Sequence, residues 1–441
     1  MSEVKKIVLI GAGSAVFGLG TINDIFQSES LVGSTIVLHD INENSLKKIA
    51  EAAEKFRAEH NLNFVIRPVS DRREALKDAD FCVISIEVGH RFDLWDMDWK
   101  IPLQFGFKQI YGENGGPGGL FHSLRIIPPI LAICEDIQAI CPEAFVFNYS
   151  NPMQRICHSV TTKFPQLKFV GLCHEIYSME VQLPLLLNTD RSNINFRAGG
   201  LNHLSILVDA NFKDTGKDAY PIIHQKFEKF YSKYENIYDN YHHSKPGGER
   251  GVFFQLYQKY GFLPITVDSH LGEYLSWGHS VADHDGINEF YTNYKKKCMS
   301  FSEAESQYSK FFNLEKRSHE RIIPILEAIL EDENSEEAAV NIPNNGCIND
   351  LPEDIVVEVP AKVNSSGVHG IRLNNYPRAF CSLLNSQVGC IRMTTEAVLN
   401  QSKSDAYFAL LADPIVDDAR SAEKLLDTMI ELQNDYLGYL N

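Results

Sequence analysis

Basic residues are scarce in this chain. Its 441 residues include 41 Lys and Arg against 58 Asp and Glu, which gives a formal net charge of −17. A nucleic-acid-binding surface or an anionic membrane requires clustered cations that replace counterions. We therefore expect neither nucleic acid nor membrane as a partner, and expect the acidity to provide solubility.

Long hydrophobic runs and cysteine frameworks are also missing. No stretch of about 18 apolar residues occurs, and the opening MSEVKK leads straight into a strand-like segment without a secretory hydrophobic region. The nine cysteines are an odd number scattered through a long chain, so we predict no disulfide framework. These features together predict a globular protein of the cytoplasm.

A nucleotide-binding turn is predicted by the stretch IVLIGAGSAVFGLGTINDI. A short apolar run, a glycine turn and a helix follow one another, as in dinucleotide-binding folds. Gly11 would allow the tight turn, and Gly13 would let the backbone approach a pyrophosphate. The helix N-terminus around Ser14 and Phe17 would then face the anion.

A second feature supports this interpretation, because two glycines alone also occur in ordinary strand–helix turns. The run STIVLHD ends in Asp40, 27 residues after Gly13, where an acid can bind ribose hydroxyls. Val16 stands at the usual place of a third glycine. No arginine lies nearby, which favours NAD over NADP.

Strand-like and helix-like segments alternate as far as about residue 200. We predict an α/β protein with an N-terminal Rossmann-like doubly wound sheet over residues 1–200. A mixed α+β C-terminal domain over residues 201–441 would serve catalysis and oligomerisation. We expect a helix from Leu124 to Ile140, with Pro128 and Pro129 near its start, and a sharply bent loop over YGENGGPGGLFHSLR.

Two segments carry metal-ligand residue types next to apolar runs. GLCHE brings Cys173 and His174 to a strand end, and GLNH brings His203 to another. A thiolate and an imidazole can hold a divalent ion and leave positions for substrate and water. The alternatives are a buried free cysteine and a core histidine that bonds a backbone carbonyl.

Three further stretches offer polar side chains. NYSNP ends in Asn151 and Pro152, either as a ligand-binding strand end or as a plain Asx turn. Glu113 lies within the glycine-rich stretch. DSHLGEY places Asp268 and His270 close together, and a solvated helix face is the alternative there.

In this order, the motifs GAGSAVF, GGPGG, NYSNP, GLCHE, GLNH and DSHLGEY resemble the NAD- and divalent-metal-dependent glycosidases of glycoside hydrolase family 4. The resemblance covers nearly the whole chain. It implies an elimination route in which NAD⁺ takes hydride from sugar C3 and a base removes the C2 proton. The C1 substituent then leaves, water adds at C1, and hydride returns to C3.

The resemblance also implies roles for individual residues. Cys173 and His203 would bind Mn²⁺, which polarises the C3 ketone. Asp268 would be the base for C2 and His174 the proton donor to the leaving oxygen. Glu113 would assist the base, and Asn151 would contact sugar and cofactor.

The substrate is predicted to be a sugar without phosphate. The segment VGHRFDLWDMDWKIP carries three aspartates that would repel a phosphate, and CHE replaces the Cys-Asp of phosphosugar members. The sequence looks closest to the α-galactosidase and α-galacturonidase branches. Arg91, Arg250 and Arg378 could pair a uronate carboxylate or could be surface arginines.

The resemblance suggests a homodimer or homotetramer that cleaves an α-galactoside or an α-galacturonide. The alternative function is an NAD-dependent 2-hydroxy acid dehydrogenase of the lactate and malate type, which shares the doubly wound domain. A non-catalytic NAD-sensing protein is the third possibility.

Overall fold

A computed structural model describes residues 4–13, 15–234, 237, 238, 242, 243, 248–303, 308 and 311–441. For residues 15–17, 237, 238, 242, 243 and 301–303 it describes the backbone alone. Ser14 therefore lies outside the described residues, as does the side chain of Phe17.

Short apolar runs form the first six strands, whose residues are mostly buried because helices cover both faces of the sheet. The strands are β1 Lys6–Ile10, β2 Thr35–His39, β3 Val65–Pro68, β4 Phe81–Ile84, β5 Phe145–Asn148 and β6 Lys168–Gly171. Between them lie α1 Ala15–Phe26, α2 Glu43–Glu59, α3 Arg72–Leu76, α4 Arg91–Gln104, α5 Gly116–Ile140 and α6 Met153–Lys163. All six strands pair in parallel in the order β3-β2-β1-β4-β5-β6. This is the Rossmann strand order, so the predicted fold class is confirmed.

An antiparallel half extends the same sheet. Its strands are β7 Ile194–Leu201, β8 Leu204–Phe212, β11 Ser335–Pro343, β12 Val356–Asn364 and β13 Gly367–Gly370, while β9 Ile237–Tyr238 and β10 His242–His243 pair only with each other. β11 lies next to β6 through the pair Asn341 and Gly171, and the order continues β11-β12-β7-β8. Within the described residues one sheet of eleven strands therefore runs through both halves. The predicted domain boundary after residue 200 falls inside β7.

Helices of the second half cover this sheet and close the fold. They are α7 Tyr177–Leu187, α8 Tyr220–Tyr231, α9 Gly251–Tyr260, α10 Asp268–Leu271, α11 Gly278–Val281, α12 His284–Glu303, α13 Ile322–Glu331, α14 Arg378–Leu399, α15 Lys403–Ala412, α16 Ala419–Leu432 and α17 Asn434–Leu437. Among the described residues, 3₁₀ turns lie at His174–Ile176, Arg191–Asn193 and Gly272–Tyr274.

The prediction for the glycine-rich stretch was wrong in part. α5 begins at Gly116, eight residues before the expected start, with Pro117 in its first turn, where a missing N–H costs nothing. Its glycines allow close packing: a Cβ on Gly118 would lie 2.6 Å from the carbonyl oxygen of Asp98, and one on Gly119 2.3 Å from the carbonyl carbon of Asn114. α5 has the length and hydropathy of a membrane span, yet most of it is buried within the fold.

Candidate functional site

The glycine turn after β1 is held by backbone geometry. Gly11 has a φ of +87°, which favours glycine, and a Cβ there would lie 2.0 Å from the carbonyl oxygen of Ser85. The amide of Gly13 donates to the Asp40 carboxylate at 2.7 Å, and a Cβ on Gly13 would meet that carboxylate at 2.6 Å. Both glycines are therefore required by the close packing of the turn itself, as in the glycine turn of a dinucleotide-binding fold.

Asp40 is placed as predicted, at the carboxyl end of β2 beside the turn. Its second oxygen accepts a hydrogen bond from the amide of Asn42 at 2.8 Å. The usual fingerprint has a third glycine at the position of Val16, which allows close packing of helix and strand. Here Gly18 packs closely instead, since an added Cβ would lie 2.5 Å from the carbonyl oxygen of Ala12. The spacing of this glycine is shifted by two residues, so the usual fingerprint misses it.

The predicted metal ligands meet at the junction of the two halves of the sheet. Cys173 follows β6, and His203 occupies the two-residue turn between β7 and β8, where its φ of +66° is unusual for a residue with a side chain. Cys173 Sγ lies 3.4 Å from His203 Nε2. Segments that are 30 residues apart in the chain thus bring a thiol and an imidazole into contact.

This spacing fits two ligands of one ion. Bonds of about 2.3 Å to sulfur and about 2.1 Å to nitrogen place two such ligands about 3.1 to 3.6 Å apart at angles of about 90° to 110°. His203 Nδ1 is buried without a hydrogen-bond partner. In the described part of the chain, no cluster of three or more His, Cys, Asp and Glu side chains is disposed to hold a metal. A divalent ion here would therefore keep positions for sugar hydroxyls or water.

Burial keeps both ligands in their neutral forms. It raises the pKa of the Cys173 thiol well above its ordinary value, and the charges of Glu358 and Glu175 raise that pKa further. It lowers the pKa of His203 well below its ordinary value, with a smaller effect from His270 and His174. A divalent cation would reverse the direction at Cys173, since coordination favours the thiolate.

His174 lies beside Cys173 and faces solvent more than its neighbour. Its side chain is 55% exposed, and Nε2 lies 3.5 Å from a carboxylate oxygen of the buried Glu175. An imidazole is a common general acid, and this one is open to solvent. This position is compatible with the predicted proton donor.

In the NYSNP segment, two side chains stabilise the local backbone and one is open to a ligand. Asn148 donates from Nδ2 to the carbonyl oxygen of Ser150 at 2.9 Å, and the Ser150 hydroxyl donates to the carbonyl oxygen of Ile86 at 2.9 Å. These two residues form a local turn, as the structural alternative predicted. Asn151 is half-buried, and its side chain has no protein hydrogen bond in the described part of the chain, so it can bind a ligand.

Glu113 is buried in a charged cluster rather than exposed to the crevice. Its carboxylate accepts a hydrogen bond from Arg91 Nη2 at 2.8 Å and one from Asn114 Nδ2 at 3.1 Å. Arg91 also lies 3.7 Å from Glu87. The amide of Asn114 donates to the Glu273 carboxylate at 3.0 Å, and Glu273 lies in the DSHLGEY segment, whose His270 ring contacts that of His203, so this cluster lies near Cys173 and His203.

Asp268 has a structural task in addition to any catalytic one. Its carboxylate accepts hydrogen bonds from the amides of Gly251 at 2.7 Å, Phe253 at 3.0 Å and Asp283 at 2.9 Å. It is fully buried, and this burial raises its pKa. The carboxylate therefore secures the start of α9, and its role as a base remains a prediction.

The rest of DSHLGEY is buried, so a solvated helix face does not describe it. His270, Glu273 and Tyr274 are each at most 9% exposed. The ring of His270 contacts that of His203 edge to face, with centroids 4.5 Å apart. Nearby Glu249 is 2% exposed, and burial raises its pKa to about 7. Neither Glu249 nor Glu358 was predicted as a site residue.

The arginines considered for a uronate are all engaged. Arg91 pairs with Glu113 and stacks over aromatic rings. Arg250 is buried 4.2 Å from the ring centre of Phe253, and Arg378 lies on the surface, 3.6 Å from Asp350. Arg91 and Arg250 thus already have protein partners, and Arg378 is a surface arginine.

The aspartates of α4 are less able to repel a phosphate than the sequence predicts. Asp98 forms a buried ion pair with Arg125 at 2.6 Å, and Asp96 pairs with Lys100 and Lys295. Cations therefore neutralise two of the three acids. Repulsion of a phosphate would depend on exposed Asp93 alone.

Comparison with known proteins gives a consistent result. Residues 6–189 match the family described as family 4 glycosyl hydrolase, and residues 198–416 match its C-terminal domain. The chain is 48% identical to an α-glucosidase of Erwinia rhapontici, over 99% of each chain. It is 28% identical to an α-galactosidase of Bacillus subtilis, over 98% of this chain and 97% of the relative.

A solved structure shows the same fold. A 6-phospho-α-glucosidase from gut microorganisms, in complex with NAD and Mn²⁺, superposes with a TM-score of 0.80 over 98% of each chain, at 23% sequence identity. The fold of this chain is thus an architecture that is already known.

Proposed function

This chain belongs to the family 4 glycosyl hydrolases, and from that premise we propose that it hydrolyses α-glycosides of unphosphorylated sugars with NAD and a divalent metal such as Mn²⁺. The observation that carries the proposal is the contact of Cys173 Sγ and His203 Nε2 at 3.4 Å, at the carboxyl end of the parallel strands. Ligands of open α/β sheets bind at that end.

We favour a glucoside as the substrate. The relative named α-glucosidase is 48% identical, against 28% for the relative named α-galactosidase. The engagement of Arg91, Arg250 and Arg378 argues for a neutral sugar over a uronate. α-Galactosides and α-galacturonides, which the motifs favoured, are the competing substrates.

The glycine turn would hold the cofactor. Gly11 and Gly13 shape the space for a pyrophosphate, and Asp40 lies where ribose hydroxyls would be. When bound, NAD would take and return the hydride at C3, and the metal would withdraw charge from O2 and O3 of the sugar.

The remaining work falls to side chains near the metal pair. Half-exposed His174 would give a proton to the leaving oxygen, and Asn151 would bind a sugar hydroxyl. Asp268, whose carboxylate accepts three amide hydrogen bonds and retains one acceptor position, would take the C2 proton. Glu113, held by Arg91, would assist the base through its negative charge.

The test is cleavage of p-nitrophenyl α-glucoside, α-galactoside, α-galacturonide and a 6-phosphoglucoside, each with and without NAD⁺ and Mn²⁺ under reducing conditions. We expect release from the α-glucoside that requires both additives and leaves no net NADH. Release from the galactoside or galacturonide alone would correct the sugar. NADH accumulation on hydroxy acids without glycoside cleavage would favour the dehydrogenase alternative.

A further inference from the structure

A carboxylate lies buried at the centre of the antiparallel half of the sheet. Glu358 is on β12, 4% exposed, and faces Gly200 on β7 and Asn341 on β11. An ionised carboxylate at such a depth is unfavourable unless hydrogen bonds or a cation compensate its charge. Whether the partners of Glu358 are charged or neutral therefore bears on its role.

In the described part of the chain, the hydrogen-bond donors to Glu358 are all neutral. It accepts hydrogen bonds from Asn202 Nδ2 at 2.8 Å, from the Ser205 hydroxyl at 2.7 Å and from Asn341 Nδ2 at 3.4 Å. In the part of the chain that the structure describes, no Lys or Arg pairs with it. Three neutral donors satisfy its oxygens, but they supply no positive charge to offset the negative charge of its ionised form.

A second buried glutamate of the same sheet shows the usual solution. Glu337 on β11 is 3% exposed, and both its oxygens accept hydrogen bonds from Arg321 at 2.8 Å. Burial alone therefore does not explain why Glu358 lacks a cation. The difference suggests that its counter-charge comes from a bound ion.

The hydrogen bonds of Glu358 lead to both predicted metal ligands. Asn202 precedes His203 in the β7–β8 turn. Asn341 also donates to the carbonyl oxygen of Gly171, two residues before Cys173. One carboxylate thus connects the two segments that carry the thiol and the imidazole, and it can fix their separation.

We propose that Glu358 is a positioning residue for the metal, which holds the His203 turn and the Cys173 segment in register and supplies negative charge that the bound cation neutralises. The inference rests on the proposed function, because it assumes that Cys173 and His203 bind the ion. Residues that orient metal ligands through hydrogen bonds typically change metal affinity by about 10- to 100-fold when replaced.

The test is Mn²⁺ binding to metal-free protein, measured by the electron paramagnetic resonance of free Mn²⁺ without sugar or NAD. For Glu358→Gln we expect the Kd for Mn²⁺ to rise about tenfold or more. The metal-free variant should be at least as stable to heat as the parent, because an uncompensated charge has been removed. Glu358→Asp, which keeps the charge, should retain part of the affinity.

Glu337→Gln is the matched control. It should lower the thermal stability of the metal-free protein, since Arg321 loses its partner, and leave the Kd for Mn²⁺ within about twofold. If Glu358 has only a structural role, Glu358→Gln should likewise lower thermal stability and leave the Kd for Mn²⁺ within about twofold. That result would overturn the proposal. If Glu358→Gln does not fold, Asn202→Ala is the second variant, and unchanged Mn²⁺ affinity there overturns the proposal equally.

The same assay separates this inference from the proposed function. Cys173→Ser and His203→Asn should each abolish tight Mn²⁺ binding. If both retain it, the metal pair itself is wrong. If both lose it while Glu358→Gln binds as the parent does, only the role of Glu358 fails.

Discussion

Two proposed sites lie on one sheet but are built in different ways: the glycine turn proposed to bind NAD, and the metal pair, which is the proposed ligand pair Cys173 and His203. The turn is local: Gly11, Gly13 and Asp40 come from two adjacent strands and are fixed mainly by backbone conformation and one carboxylate hydrogen bond. The metal pair is assembled from the end of β6 and the β7–β8 turn, and side chains of β11 and β12 support it. Local backbone builds the first site, and long-range side-chain contacts build the second.

This difference predicts that the two sites fail separately. Changes in the turn should weaken NAD without affecting metal, and changes at the metal pair should weaken Mn²⁺ without affecting NAD. The following variants test that separation.

The largest effect is expected for Cys173→Ser. A hydroxyl is a poorer ligand than a thiolate for a divalent ion, so kcat/KM for the glycoside should fall by about 1,000-fold or more, with NAD affinity unchanged. Cys347→Ser is the control. Cys347 is also buried, but it lies in a groove at the amino ends of β5 and β6, whereas Cys173 follows the carboxyl end of β6. Cleavage by Cys173→Ser that keeps its dependence on Mn²⁺ would remove this cysteine from the site.

The next largest effect is expected for Asp268→Asn. An amide cannot act as the base and can accept fewer backbone hydrogen bonds, so exchange of the C2 proton should fall by about 100-fold or more while NAD still binds. Thermal stability should drop as well, because the start of α9 loses an acceptor. Parent-like exchange in a destabilised variant would restrict Asp268 to its structural task.

Gly13→Ala should affect the other site. Its Cβ would collide with the Asp40 carboxylate, so the Kd for NAD should rise about tenfold while Mn²⁺ binding stays as in the parent. Gly20→Ala is the matched control within α1, where an added Cβ meets nothing within 4 Å. An unchanged Kd for NAD in Gly13→Ala would mean that this turn does not hold the cofactor.

The last effect concerns Glu249 and stability, away from both sites' affinities. Its pKa rises from 4.5 unfolded to about 7 folded through burial, so the folded protein binds a proton that the unfolded chain releases. The resulting stabilisation is full below about pH 4.5 and is lost as the pH rises through about 7. Glu249→Gln should therefore be more stable than the parent at pH 8, by up to about 3 kcal/mol, and similar at pH 5.

Differential scanning calorimetry across this pH range measures the effect. Glu423→Gln, at an exposed position of α16, serves as the control and should follow the parent. A parent-like pH profile for Glu249→Gln would contradict the buried, protonated state of Glu249.

Sequence patterns predicted the local site better than the assembled one. The parallel strands and Asp40 follow from apolar runs that end in glycine or acid, because these signals lie within about 30 residues. α5 was placed too late, because glycines read as flexible were required for close packing against Asp98 and Asn114. Cys173 and His203 were recognised by motif, but their 3.4 Å contact depends on sheet pairing that periodicity does not encode.

Glu358 and Glu249 were missed for a related reason. The significance of each glutamate comes only from its burial and from neighbours distant in the chain. The role of Arg250 was equally hidden, since its burial against Phe253 depends on tertiary packing.

The most direct test of the central claim is hydrolysis of an α-glucoside in D₂O, with NAD⁺ and Mn²⁺, followed by NMR of the released sugar. We expect the parent protein to release sugar that carries deuterium at C2, with no net NADH. Cys173→Ser should not form this deuterated product. Product released by the parent with hydrogen retained at C2 would contradict this expectation, because no base would then have removed that proton.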